Sequence, residues 1–557
     1  MPIQSVSREE IAKKEIGITQ ITKAHARLLI IGFVLVLFSV PLIQYLHDRH
    51  LQQSTAINLF ARAFTVLTYD DSANRSPLSR IFDGNRQFLK ELSEFETELE
   101  DSSFLRKLFL RTVQEFMLVF LGQGNEEAYL GREDWLFYHQ DLHYQYAQGF
   151  LDEAQLNKRR TSNEVWEAPI QPDPLIAMVH FQKELSKRAI QLLLLPIPVK
   201  GVIYPEKIAH RKTFSGPVHN RSWNKFITRL DQDMLDVFSV DDILFGYEKE
   251  HQRPAYLRSD THWTPGAARL IAHELANYLV ENYDLATGTA VFDKTVEELT
   301  NSGDIADMLH LGPTLLNRFS ETVTIEKIKP RNQNQSQILL LGDSFSNIYS
   351  SAAMGWGEYG GLAEHLADAL MQEIDVIVQN DSGAYATRSA LAKDLLRGED
   401  RLAGKKVVIW QFAVRELGFG DWKIIPLELR TPEPSSFFIA ASGKTVTATG
   451  IIAEISDSPN PKEVPYKDNL VTIHLVDLEV QGEKNIGQEA LVYSLGMQDN
   501  VLTNIAKKKQ GERITLYLQD WFDREQEYSG IRRSPLNNDM VELELPNWGE
   551  LVDDQEQ

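Results

Sequence analysis

Cysteine is missing from all 557 residues. That absence removes disulfides, thiolate metal sites and cysteine nucleophiles together. It is compatible with an oxidising compartment without requiring one. Positive charge is scarce as well: 57 Lys and Arg stand against 79 Asp and Glu, a formal net charge of −22. Such a chain has no general affinity for nucleic acid or anionic lipid. A polyanionic polymer would need a local basic groove to be held. Internal repeats and low-complexity tracts are lacking. The chain is 43% hydrophobic and 24% charged, so most of it reads as globular, and its length suits three or four domain-sized units.

One segment departs from that texture. Leu28 to Leu46 reads LLIIGFVLVLFSVPLIQYL, without a charge. About 19 residues at a 1.5 Å rise span roughly 28 Å, close to a bilayer core. Lys13, Lys14, Lys23 and Arg27 precede it. The positive-inside bias therefore places residues 1–27 in the cytoplasm and the large remainder outside. A cleaved signal peptide is the competing reading, but its apolar stretch would be shorter, and no small-x-small site follows Pro41 closely.

The rest divides by pattern. Residues 47–128 carry apolar positions at three- and four-residue spacing, as in RQFLKELSEFETELE, and read as a helical stalk or cap. From 129 to 430, strands alternate with helices. QLLLLPIPVKGVIYP, QILLLGDS, DVIVQN and KVVIWQF read as strands. PLIAMVHFQKELSKRAI, SWNKFITRLDQDML, Pro265 to Tyr283, GLAEHLADALM and RSALAKDLLRG read as helices, and LDVFSVDDILF as strand and turn. Continuous apolar strands imply a parallel sheet covered on both faces, hence a three-layer α/β/α domain. TPEP at 431–434 is a linker. Beyond it, residues 435–548 read as strands with one short helix, VLTNIAKKKQ. A small OB-like β-barrel or a carbohydrate-binding β-sandwich fits. Residues 549–557 form an acidic tail.

Two local patterns carry chemistry. ILLLGDSFSN puts Ser344 just after an apolar strand, at the carboxyl end where α/β sheets bind ligands. A serine hydroxyl still needs a base. RSDTHWTPGAARL places Asp260 and His262 two apart, projecting to the same side of an extended loop. Asp260 is then placed to orient one imidazole nitrogen while the other faces Ser344. Thr264 and Pro265 resemble an N-cap and a first helical residue. Ordinary readings stand beside these: Asp343 or Ser344 as a helix cap, and His262 as a hydrogen-bonded structural histidine. An Asp-x-His pair also suits a metal, but no second ligand cluster is apparent and no metal is expected.

DTHW followed by a helix and then LLLGDSFS resembles the alginate O-acetyltransferase family of AlgJ and AlgX. GREDWLFY, PIPVKGVIYPEKI, SGDIADML and VIWQFAVREL add weaker likeness over residues 129–420, with Asp134 where the family has glycine. The resemblance implies an SGNH-hydrolase-like domain of permuted order, the Asp-x-His pair preceding the serine. It implies Ser344 as nucleophile, His262 as base and Asp260 as its orienter. Asn380 and Arg388 are further candidates for oxyanion or substrate contacts, with Tyr349, Trp263 and Arg415 as possible pocket residues. Asn380 as a turn residue, Arg388 as a surface side chain and Trp263 as core remain open.

The implied activity is acetyl transfer to an exported polysaccharide, with no bound cofactor and a membrane-bound O-acyltransferase partner supplying acetyl groups. The implied location is the inner membrane, single-pass, with the catalytic domain in the periplasm. A polysaccharide deacetylase with the same triad, or a non-catalytic scaffold of a secretion complex, are the alternatives. Trp521, Phe522, Tyr528 and Trp548 offer stacking faces in the last domain, with core packing expected for at least half.

Overall fold

The computed structural model describes residues 22–50 and 103–552 apart from short internal stretches, the longest being 162–168. Between 51 and 102 it describes residues 85, 89 and 92. Met1–Thr112 and Val113–Gln557 are separate compact units. In the first, α1 (Lys23–His50) contains Ala24–Leu46, long and apolar enough to cross a membrane. Most of the expected stalk lies outside the described residues. Its end is helical in α2 (Phe104–Phe116), which closes in a π-turn at Gly122.

Val113–Gln557 opens with a hairpin of β1 (Ala128–Leu130) and β2 (Leu136–Tyr138). Asp134 sits in its turn at φ +62°, the left-handed region that glycine occupies without cost and Asp tolerates better than most residues. The sheet begins with α3 (Pro174–Ser186) and β3 (Gln191–Ile197), continuing through α4 (Trp223–Gln232) to β4 (Asp236–Val237). KGVI after β3 is a helical turn, not more strand. DDILF likewise opens a helix, Asp241–His251, where a strand and turn were expected. Then come α5 (Pro265–Asn282) and a long hairpin of β5 (Phe292–Asn301) and β6 (Glu321–Pro330). The chain returns as β7 (Ile338–Gly342), α6 (Leu362–Leu370), β8 (Asp375–Val378), α7 (Ala386–Leu396) and β9 (Val407–Ala413).

The sheet order is β4-β3-β9-β7-β8, with every pairing parallel. From β3 the chain steps outward one way, and from β7 the other way. Right-handed crossovers then put helices on opposite faces, giving the expected three layers. β7 and β9 are buried throughout, which is why they read as unbroken apolar runs. The carboxyl ends of β3, β7, β8 and β9 bring Lys200, Ser344, Asn380 and Arg415 to one end of the sheet.

The last domain closes on itself. β10 (Val446–Ile455), β11 (Asn469–Val480) and β12 (Ala490–Gln498) pair in order, and β14 (Arg513–Asp520) and β16 (Pro546–Leu551) complete the ring. Short β13 (Val501–Leu502) and β15 (Arg533–Ser534) are appended to it. The ring runs one-two-three-five-four, with only β12 and β16 parallel. That is the OB barrel order rather than a sandwich, and closure leaves the ring no open edge. Two expectations are corrected. VLTNIAKKKQ forms β13 and a single 3-10 turn, Ile505–Lys507, in place of a helix. β16 runs to Leu551, because Gly549–Leu551 pair with β14 instead of starting the tail.

The barrel is tied to the α/β layer through Glu542, which is buried. Lys393 of α7 meets its carboxylate at 2.6 Å, and Arg533 lies 3.9 Å away. Arg397 donates to the carbonyls of Glu542 and Leu543. Removing one member of a buried charge cluster leaves the others uncompensated. Glu542→Gln leaves partly exposed Lys393 without its charged acceptor and is therefore expected to lower stability by about 1–3 kcal/mol, read as a lower urea midpoint with an unchanged slope.

Candidate active site

Asp260 and His262 sit in a loop pinched shut by a bridge between Tyr256 and Trp263. Lys200, buried at the end of β3, donates from Nζ to the carbonyls of Leu257 and Arg258. Glu321, which opens β6, accepts from the Ser259 amide at 3.0 Å and its hydroxyl at 2.9 Å. The loop is thus clamped from both sides before α5 begins at Pro265. Thr264 does not cap that helix through its side chain: its hydroxyl donates to the Pro254 carbonyl.

The buried Asp260 carboxylate accepts four hydrogen bonds. Oδ1 takes the His262 ring at Nδ1 (2.7 Å) and the His262 amide (3.1 Å), while Oδ2 takes Trp356 Nε1 (2.8 Å) and the Asp304 amide (3.1 Å). Burial works against its charge, but these donors, His262 foremost, hold its pKa below the ordinary carboxylate value. With Nδ1–H donated to Asp260, the Nε2 lone pair of His262 is bare. Nε2 is buried and has no hydrogen-bond partner among the described residues. Burial also opposes charging of the imidazole, but the Asp260 hydrogen bond and charge, with Asp304 adding, raise its pKa overall. An imidazole held this way accepts a proton at Nε2.

Ser344 is the first residue of the turn that follows β7, and it is buried. The next residue, Phe345, packs its ring against His262 at a 4.8 Å centroid distance. The residue after the nucleophile candidate thus packs on the imidazole, and no Ser344–His262 hydrogen bond forms. Asp343, not Ser344, is the cap: it accepts from Phe345 N (2.9 Å). It also accepts from Gln411 Nε2 (2.6 Å) and Ala413 N (2.7 Å) of β9. This locks the turn and leaves the Ser344 hydroxyl out of capping. Gly342 is required for space rather than for backbone angle, since a Cβ there would lie 2.8 Å from Ser346 Cβ.

The other candidates separate. Asn380 and Arg415 line a cavity of about 60 Å³ that also contains Asp260, His262 and Asp304. Asn380 is buried and oriented by Asn347, whose Nδ2 donates to its Oδ1 at 3.2 Å. Arg415 reaches Asp141 at 3.3 Å and lies over the Tyr138 ring. Arg388, Tyr349 and Trp263 are not brought to the cavity, because each is spent on the core. Arg388 is fully buried over the Trp410 ring, where the expected ordinary alternative was a surface side chain, and donates to the Lys423 carbonyl. Tyr349 donates to the Trp263 carbonyl at 2.7 Å. Trp263, with no exposed surface, meets Phe345 edge-on and offers no face to a sugar.

Asp304 was not among the expected site residues. Its Oδ1 accepts from Thr261 N (2.7 Å), its Oδ2 from the Thr261 hydroxyl (2.5 Å), and it lies 3.7 Å from His262 Nδ1. Burial, then the Asp260 charge, pushes its pKa up. The signal was present in SGDIADML. Gly303 adopts φ +85°, and a Cβ there would meet Ser259 O at 2.7 Å, so only glycine lets this loop approach. Asp260, His262 and Asp304 have ligand atoms close enough to hold a cation. Backbone and side-chain donors already occupy the carboxylate oxygens, which makes the cluster a poor fit for a metal.

A family model described as the SGNH hydrolase-like domain of acetyltransferase AlgX matches residues 128–414, more than half of the chain. The chain belongs to that family. The probable alginate O-acetylase AlgJ of Pseudomonas aeruginosa is 31% identical over 134 residues, 24% of this chain and 33% of that protein. Its Pseudomonas fluorescens counterpart is 25% identical over 251 residues, covering 42% and 59%. The chain thus spans one third to three fifths of the length of these two relatives. The solved O-acetyltransferase domain of Pseudomonas putida AlgJ shares 20% identity, covering 53% of this chain and 94% of that one, with a TM-score of 0.41.

If the neutral imidazole is the working base, its raised pKa sets the acid limb. Protonated His262 accepts nothing, so hydrolysis of a small activated acetyl ester should rise with pH through a value above about 6.5. Asp304→Asn removes one raising charge and should move the limb to lower pH. Asp260→Asn should cut kcat/KM by about 10⁴, through loss of the tautomer. A limb unmoved by Asp304→Asn would show that this carboxylate does not reach the titrating base.

Proposed function

We propose that this protein is a membrane-anchored O-acetyltransferase that moves acetyl groups onto hydroxyls of an exported polysaccharide through a Ser344 acyl-enzyme. One observation carries the reading. A buried imidazole with Nδ1 committed to Asp260 leaves Nε2 bare, and the ring packs on Phe345, the residue next to a serine whose capping duty Asp343 has taken over. Family membership and the names of the relatives support acetyl transfer as the chemistry.

Ser344 Oγ attacks the acetyl carbonyl while its proton passes to Nε2, and the donor's leaving group takes that proton away. The seryl ester is then attacked by a sugar hydroxyl. Nε2 accepts the hydroxyl proton and returns it to the departing Ser344 oxygen. In this reading the Ser344 amide and Asn380 Nδ2, which donates to Met354 Sδ at 3.2 Å, would turn to the oxyanion as donors. Asp260 holds the tautomer throughout. No bound cofactor is needed, since the acetyl group arrives on a donor. The apolar helix Ala24–Leu46 fits a single-pass anchor in the inner membrane, with the catalytic layer in the periplasm. There it meets its acceptor and a membrane-bound O-acyltransferase that delivers acetyl.

The test uses the full chain in detergent with an activated acetyl ester. Mass spectrometry of the quenched enzyme should find acetyl on Ser344, and added oligosaccharide should gain acetyl at its expense. Ser344→Ala should lose both, with turnover down at least ~10³-fold. Acyl-enzyme that only water discharges, whatever acceptor is added, would make the protein a deacetylase. A Ser344→Ala enzyme of full activity would remove the serine mechanism.

A further inference from the structure

A second, larger depression of about 960 Å³ opens between the α/β layer and the barrel. That is the upper end of the size usual for ligand sites. It shares the lining residues Ala353, Asp468 and Ile531 with the cavity that holds His262, so the two adjoin at that wall. Its walls come from α6, α7 and β8 on one side and from β11, β15 and the Trp521–Tyr528 turns on the other. Neither domain forms it alone.

Its charge is the informative property. Eight carboxylate residues line it against four cations, Lys393, Arg397, Arg401 and Arg533. All four cations are already committed. Lys393 and Arg533 are paired with Glu542. Arg397 is bound to backbone carbonyls of the barrel, and Arg401 pairs with Asp375 at 2.5 Å. Of the carboxylates, Glu358 pairs with Lys327, Asp394 with Arg401 and Glu527 with Arg524, while others are met by uncharged donors. Asp468 accepts from the Asp499 amide, and Asp523 from Ser442 and Gly443. Burial raises the Glu525 carboxyl, and the Arg401 charge acts against that shift. Phe522 presents an exposed ring on the barrel wall, while Trp521 beside it is buried and Tyr528 stacks on Trp548 at 4.0 Å. The wall is aromatic and net negative.

The geometry points to this depression as the acceptor groove, and to a glycan without carboxylates, built of neutral or amine-bearing sugars, as its occupant. The inference rests on the acetyltransferase reading for the word acceptor, but the binding it claims is independent of chemistry. A polyuronate would bring a negative charge on every ring into a groove with no uncommitted cation among its described lining residues, and would be repelled. A neutral ring stacks on Phe522, and an amine gains from the same field that rejects a uronate.

Equilibrium binding to the full chain in detergent, carrying Ser344→Ala so that no acetyl moves, tests this. The probes are hexamers of neutral glucose, of glucosamine and of galacturonate, at low salt so that screening hides nothing. The neutral or the amine-bearing hexamer should bind at least tenfold more tightly than the uronate. Phe522→Ala should weaken that binding about tenfold. Glu527→Lys, at an exposed position, should raise uronate affinity without being needed for folding. Tightest binding by the uronate, equal binding of all three, or binding of none would overturn the inference. Loss of acyl-enzyme formation at Ser344 would instead sink the acetyltransferase reading and leave the groove's preference standing.

Discussion

The Asp260 carboxylate is the interaction on which this site hangs. It is a buried anion, and a buried anion persists only where hydrogen bonds and charge replace the lost water. Here the replacements come from three separate pieces of chain. His262 lies in the same loop, Trp356 follows the β7 turn and the Asp304 amide follows β5. Each donor therefore does two things at once. It keeps Asp260 ionised, and it fixes one more element around His262. Loosening any of them costs the carboxylate part of its solvation, so charge and loop geometry are coupled.

That coupling explains why two carboxylates so close together behave differently. Asp260 receives an imidazole and an indole N–H, while Asp304 receives chiefly the amide and hydroxyl of Thr261. The first is stabilised as an anion, and the second is pushed towards its neutral form by burial and by the first. A pair held apart in this way gives the imidazole one firm negative partner and one whose charge responds to its surroundings. Lys200 balances the group without competing for His262, because its ammonium is turned to carbonyls and lies near the Trp135 and Phe137 rings.

What was legible in the sequence follows from where each piece of information resides. β7 and its GDS turn are local: an apolar run, a glycine with no room for a Cβ and a capping Asp stand within a few residues. The Asp-x-His pair is local too, and so is the alternation that yields the three-layer sheet. The hairpin of β5 and β6 was not read, since β5 is largely exposed and shows little apolar alternation. Without it the approach of Asp304 and Glu321 to the Asp260 loop had no visible cause. Arg388, Tyr349 and Trp263 mark the opposite error. Their residue types suit a sugar site, but α7, the turn after β7 and the start of α5 turn them inward, and tertiary packing decides. Barrel closure lies between these cases: the strands were readable, the helix between the third and fourth was not, since the segment resolves into β13 and a 3-10 turn.

The barrel then acquires a reason to be where it is. Lys467, just before β11, meets Asp307 at 2.8 Å, and Asp307 belongs to the same short helix that Asp304 opens. A barrel residue thus touches the element that carries the second carboxylate, while Asp468, Ile531 and Arg532 complete the wall of the His262 cavity. The barrel cannot shift without moving the mouth of the site, and Glu542 resists such a shift through Lys393. For the acetyl transfer proposed above, a buried imidazole on one domain would need an entrance that excludes water yet admits a polymer strand. Building that entrance from a second domain, joined by committed ion pairs, separates the two demands: the α/β layer keeps the imidazole dry, and the barrel shapes what can reach it.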